Sequence, residues 1–100
     1  MDVVLLNSGP DENGQITPFR TLGAYKIAHY TRAAGYSCQV IDHLMFMTEQ
    51  QLRSCVFKFV NADTAVLAVS TTFLKDSAGV HFPTHLINVL NEVSDRFPNV

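Results

Sequence analysis

Charge is scarce in this chain of 100 residues, at 16% against the ~25% usual for soluble domains. Such a shortage implies that part of the surface is covered by a ligand, a second domain or a partner. The seven Lys and Arg residues are dispersed and the formal net charge is −2, which leaves no basic footprint for nucleic acid. Cysteine is nearly absent: Cys38 and Cys55 form no C-x-x-C or other metal-type spacing. With Cys38 at a strand start and Cys55 within a helix, both read as free buried thiols, and the chain is expected to be cytoplasmic. No apolar run approaches the ~18 residues of a membrane span, and no stretch reads as a signal peptide. Repeats, linkers and low-complexity segments are missing. So are a nucleophile–base pair, a paired carboxylate and a glycine-rich phosphate loop.

What is present is apolar, 47% of the residues. One hundred residues make a single domain that buries roughly 60–65% of its unfolded surface. The stretch from Asp63 to Ser70 (DTAVLAVS) organises the rest. It has no polar residue from Ala65 to Val69 and no helical period, so it reads as a buried central strand of a parallel sheet. It ends in Ser70, Thr71 and Thr72. In open parallel α/β sheets the ligand crevice lies beyond the carboxyl ends of the strands. These hydroxyls either bond a ligand at that mouth or satisfy backbone groups at a strand end.

Asp2 to Leu6 is a second continuously apolar run and reads as the first strand, also central; it closes with Asn7-Ser8-Gly9-Pro10. Asn7, Ser8 and Gly9 either touch a ligand or form an ordinary turn. The segment 7–20 is long for a β–α loop, a length associated with function or mobility. Asn13-Gly14 marks a turn within it, and Asp11-Glu12 reads as solvated. Thr21 is a candidate N-cap for a helix from Leu22 to about Ala34, stopped by Gly35. Gly23, Ala24, Ile27, Ala28, Thr31 and Ala34 give that helix a small-residue face for close approach to a sheet or a bulky flat ligand. Ser37 to Asp42, less uniformly apolar, reads as a strand nearer the edge. Thr48 and Gln51 form a capping box before a helix with Leu52, Val56 and Phe59 at helical spacing. Pro83 suits a first helical position, followed by Leu86, Leu90, Val93 and Phe97. The order β-α-β-α-β-α predicts a three-layer α/β fold. Its parallel sheet is expected in the order 2-1-3, as in the first half of a flavodoxin-like or Rossmann-like fold. The sheet reads as truncated before a fourth strand, and residues 1–100 as one partial domain.

With these elements placed, the chain resembles the cobalamin-binding domain at the N-terminus of many radical-SAM enzymes. The likeness rests on the first strand running into Asn7 and Pro10. It rests also on Pro18 to Tyr25 (PFRTLGAY) with Ala33 to Tyr36 (AAGY), on Val40-Ile-Asp42, on Val69-Ser-Thr-Thr72, and on Phe97 to Val100 (FPNV). It implies a vitamin B12 corrinoid at the C-terminal edge of the sheet, touched by Asn7, Ser8, Gly9, Thr21, Leu22, Gly23, Ser70, Thr71, Thr72 and Phe73. The D-x-H-x-x-G loop of another cobalamin family is missing, since residues 7–20 contain no His. The resemblance therefore implies a bound cobalt without a protein histidine beneath it, the cofactor's lower base displaced. A downstream radical-SAM domain would be the partner, and neither the Gly-Gly motif that follows strand four nor an iron–sulfur motif falls within this chain, so the resemblance implies a piece of such an enzyme that catalyses nothing by itself.

His81 and His85 stand four apart, but Pro83 intervenes, so they read as a solvated pair and not a metal site. His43 reads as a capping or surface residue and His29 as solvated. Tyr25, Tyr30 and Phe73 could stack on a corrin; Tyr30 reads better as core or edge packing, and Phe73 is the best stacking candidate. The rival reading is a cofactor-free interaction or regulatory domain that self-associates. A small flavin or nucleotide binder is weaker, lacking the glycine pattern after strand one. In the order 2-1-3, strand three has no Lys or Pro to guard its edge, which predicts a homodimer through that edge for the isolated chain and a fourth strand beside it in a longer parent.

Overall fold

Three short apolar runs form one parallel sheet, and three helices cover its faces. The computed structural model describes residues 1–9, 11–12, 15–16, 22–71, 74–76 and 79–100. In chain order the elements are β1 (Val3–Leu6), β2 (Asp11–Glu12), β3 (Gln15–Ile16), α1 (Leu22–Ala33), β4 (Cys38–Ile41), a 3₁₀ turn (Leu44–Phe46), α2 (Glu49–Phe59), β5 (Val66–Val69), β6 (Lys75–Asp76), β7 (Gly79–Val80) and α3 (Thr84–Arg96). The sheet order is β4-β1-β5, with β1 parallel to both neighbours. Val3 lies opposite Cys38 and Val66, and Leu6 opposite Ile41 and Val69. This is the expected 2-1-3 order, the arrangement of Rossmann-like and flavodoxin-like folds.

Alternation along the strands divides the core in two. Val4, Leu6 and Ile41 turn to one face and join Leu52 and Val56 of α2 and Leu86, Val89 and Val93 of α3 in a buried cluster. Leu67 and Val69 pack against that cluster. Fully burying each such Leu or Val contributes about 1.5–3 kcal/mol. The opposite face carries Leu5 and Cys38 and lies under α1, whose Ala24 and Ala28 are buried. Burial pushes the Cys38 thiol above its ordinary value, offset only in part by Arg32. Both thiols are free, Cys38 buried and Cys55, expected to be buried, only half-buried.

The helix signals work as local chemistry dictates. Thr48 accepts from the Gln51 N–H while the Gln51 side chain accepts from the Thr48 N–H, completing the capping box. Gly35 takes a φ of 96°, the left-handed conformation that ends α1 without a Cβ clash. The helices α2 and α3 are laced along one seam by Arg53 on Glu92 (2.7 and 2.6 Å) and Asn88 on Glu49 (2.6 Å). Arg96 also stacks over Phe57 at 4.5 Å.

Several expectations need correction. β1, not β5, holds the centre of the sheet; β5 is an edge strand, and Val66 on it is 46% exposed. A run apolar on both faces looks the same whether or not anything covers it. Of the small-residue face of α1, only Ala24 and Ala28 are buried, while Gly23, Ile27 and Ala34 are exposed. Tyr30 is exposed as well, with His29 edge-on at 5.6 Å. Pro83 caps α3 in an extended conformation, and the helix begins one residue later at Thr84. His85 is half-buried and bonds the Leu44 carbonyl through Nε2 at 2.8 Å, so it is not half of a solvated pair. The long first loop contains the antiparallel pair β2–β3, with Asp11 and Glu12 in a strand, and the segment after β5 contains β6–β7.

Candidate functional site

The carboxyl ends of β1, β4 and β5 and the first turn of α1 meet at one end of the molecule, because α1 runs antiparallel to the sheet. Asp42, one residue past β4, is the hub. One of its carboxylate oxygens accepts from Asn7 Nδ2 (3.1 Å) and from the His43 N–H (2.7 Å). The other accepts from the Tyr25 hydroxyl (2.8 Å). A single side chain therefore joins the ends of two strands to the start of α1.

The backbone around Asn7 is equally committed. Its N–H donates to Ile41 O (2.9 Å) and its carbonyl accepts from the Leu44 N–H (3.1 Å). Beyond the hub, His43 sits in the left-handed region at φ 62°, ψ 32°, an uncommon conformation for a residue with a side chain. It stands at the N-cap of the 3₁₀ turn without making a side-chain cap bond. Its Nδ1 is buried with no hydrogen-bond partner among the described residues.

The expected site residues fall into three groups. Asn7, Ser8 and Gly9 are buried; the Ser8 hydroxyl accepts from the Met45 N–H at 3.4 Å. They brace the end of β1. Leu22 and Gly23 are exposed at the start of α1, Leu22 at 81%, and a Cβ built on Gly23 would meet nothing within 4 Å among the described residues. Ser70 is half-buried and Thr71 exposed. The Ser70 N–H donates to Leu6 O (2.8 Å), while neither hydroxyl has a partner among the described residues. Thr21, Thr72 and Phe73 lie outside the described residues.

Sequence reasoning named Tyr25 as a stacking candidate and Asp42 as part of a motif, but not their mutual bond. Nothing in the linear spacing marks two residues 17 positions apart as partners. Among the described residues, no group of three or more His, Cys, Asp or Glu is placed to hold a metal ion. Nor is any described helix long and apolar enough to cross a membrane. No protein-family model matches the chain, and no curated protein or solved structure shows significant similarity to it.

Proposed function

We propose that this chain is a cobalamin-binding module that holds a corrinoid at the carboxyl end of its parallel sheet. One observation carries the reading. At the end where doubly wound folds bind ligands, the Ser70 and Thr71 hydroxyls have no protein partner among the described residues, and the start of α1 is apolar and open at Leu22 and Gly23. The donor set fits such a group. Asn7, Ser8 and Asp42 are engaged inside the protein and make a rigid floor; Ser70 and Thr71 would hydrogen-bond the nucleotide-like tail; Leu22 and Gly23 would lie against the ring. Thr21, Thr72 and Phe73 belong to the same proposed contact set through the resemblance.

When bound, the corrinoid supplies the cobalt chemistry; this chain's own residues bind, orient and exclude water. A downstream radical-SAM domain would complete the enzyme. The two free thiols fit a cytoplasmic setting. The second reading, an interaction domain without a cofactor, is favoured by β5 lying at the sheet edge with no strand paired beyond it among the described residues.

Incubation with hydroxocobalamin followed by desalting tests the first reading. Corrin absorbance should travel with the protein, with a spectrum lacking nitrogen coordination below the cobalt. Ser70→Leu should cut the retained corrin severalfold while leaving the melting temperature nearly unchanged. Protein that emerges free of corrin disproves the binding reading, and parallel losses of binding and melting temperature would make Ser70 a structural residue.

A further inference from the structure

The two edges of the sheet are finished differently. Val3 N–H bonds Ser37 O and Asn7 N–H bonds Ile41 O, so the odd-numbered residues of β4 turn inward. Cys38 and Val40 carry the outward backbone groups. Both outward carbonyls are already occupied: Arg32 Nε and Nη2 donate to Cys38 O at 3.0 and 2.6 Å, and Gln39 Nε2 donates to Val40 O at 2.9 Å. A strand arriving at β4 would find its acceptors taken. On the other side, Ser70 N–H bonds Leu6 O, so Leu67 and Val69 carry the outward groups of β5. Among the described residues, no side chain donates to either carbonyl and no strand pairs there.

The helices frame this second edge with apolar surface. Tyr25 and Arg32 reach to the β4 side of α1. The opposite side of that helix therefore carries Ile27 (56% exposed) and Tyr30 (62%), and Val66, 46% exposed, lies on the sheet face that α1 covers. In the other layer His85, Asn88 and Glu92 of α3 are turned toward α2 and the turn before it. Ile87, 43% exposed, is thereby left on the β5 side.

We propose that the β5 flank is an interface for a second copy of this chain, β5 pairing antiparallel with its partner's β5 about a two-fold axis to make one six-stranded sheet. A bare strand edge is completed by another strand, and antiparallel pairing of two identical edges is the isologous arrangement that closes. Self-pairing is electrically permitted, because Ile27, Tyr30, Val66, Leu67, Val69 and Ile87 bring no like charges together. The smallest face of the molecule measures 30 × 24 Å, of the same order as the ~800 Å² each partner buries in a standard interface. This pairing is that of the 100-residue chain and does not depend on corrinoid binding; in a longer parent a fourth strand would take the same edge.

Light scattering on the purified chain at ~100 µM, above the micromolar Kd of a modest interface, should give the mass of a dimer. The double variant Val66→Lys/Ile87→Lys changes only exposed positions and should give a folded monomer. Gln39→Lys, at the guarded edge, should remain dimeric. Wild-type monomer overturns the proposal, as does a dimer that the double variant leaves intact or that Gln39→Lys splits. Should the double variant fail to fold, amide exchange of the wild type decides. Leu67 and Val69 must exchange more slowly at high than at low protein concentration, and equal rates overturn the proposal.

Discussion

The carboxylate of Asp2 ties the first residues of the sheet together. It accepts from the Ser37 N–H (2.7 Å) and the Ser37 hydroxyl (2.9 Å), while the Asp2 N–H donates to Ser37 Oγ (2.7 Å). The backbone bond from Ser37, followed by the hydroxyl bond, holds the Asp2 carboxyl below its usual range. A folded-state value below the unfolded value of ~3.9 means that this stabilisation is complete above that pH and is lost as pH falls through the lowered value. Asp2→Asn removes the charge at every pH. The variant should therefore denature at lower urea than wild type at about pH 6, with the gap closing as pH falls through the lowered value, where the wild-type carboxyl is protonated too. A gap that stays constant with pH would show that the carboxylate charge at position 2 is not what joins the two strands.

At the scale of the element, α2 offers the cleanest separation of local from tertiary forces. Thr48 is exposed and contributes through its cap, whereas Leu52 and Val56 are buried in the core. Thr48→Ala should cost about 1 kcal/mol, seen as a lower urea midpoint with an unchanged slope. An unchanged midpoint would mean that packing alone sets the helix start. This helix was legible in the sequence because a capping box is a spacing of three, and Gly35 was legible because a left-handed stop favours glycine. The three sheet strands and their order were legible for a related reason, since continuous apolar runs divided by helical patterns admit few topologies. The pairs β2–β3 and β6–β7 were not, because two-residue strands leave no alternation to read. At the candidate site, the strand-end hydroxyls could be named from position alone. The Asp42 hub could not, because Asn7, Tyr25 and Asp42 meet only after the chain has folded, and the sequence does not show that Asn7 and Ser8 point inward.

For the whole molecule, a paired sheet makes stability depend on concentration. Each tenfold increase in protein adds about 1.4 kcal/mol per dimer by mass action. The Tm measured between low and high micromolar protein should therefore climb by a few degrees per decade. A Tm independent of concentration would place the folding unit at one chain.

The side chains that finish β4 also decide where such growth ends. Once two β5 edges have met, the enlarged sheet shows only β4 at either extremity, and there Arg32 and Gln39 already hold the outward carbonyls. In such a pair each copy would have a valence of one. Two long side chains would then serve as chain terminators, separating a finite pair from an open-ended ribbon.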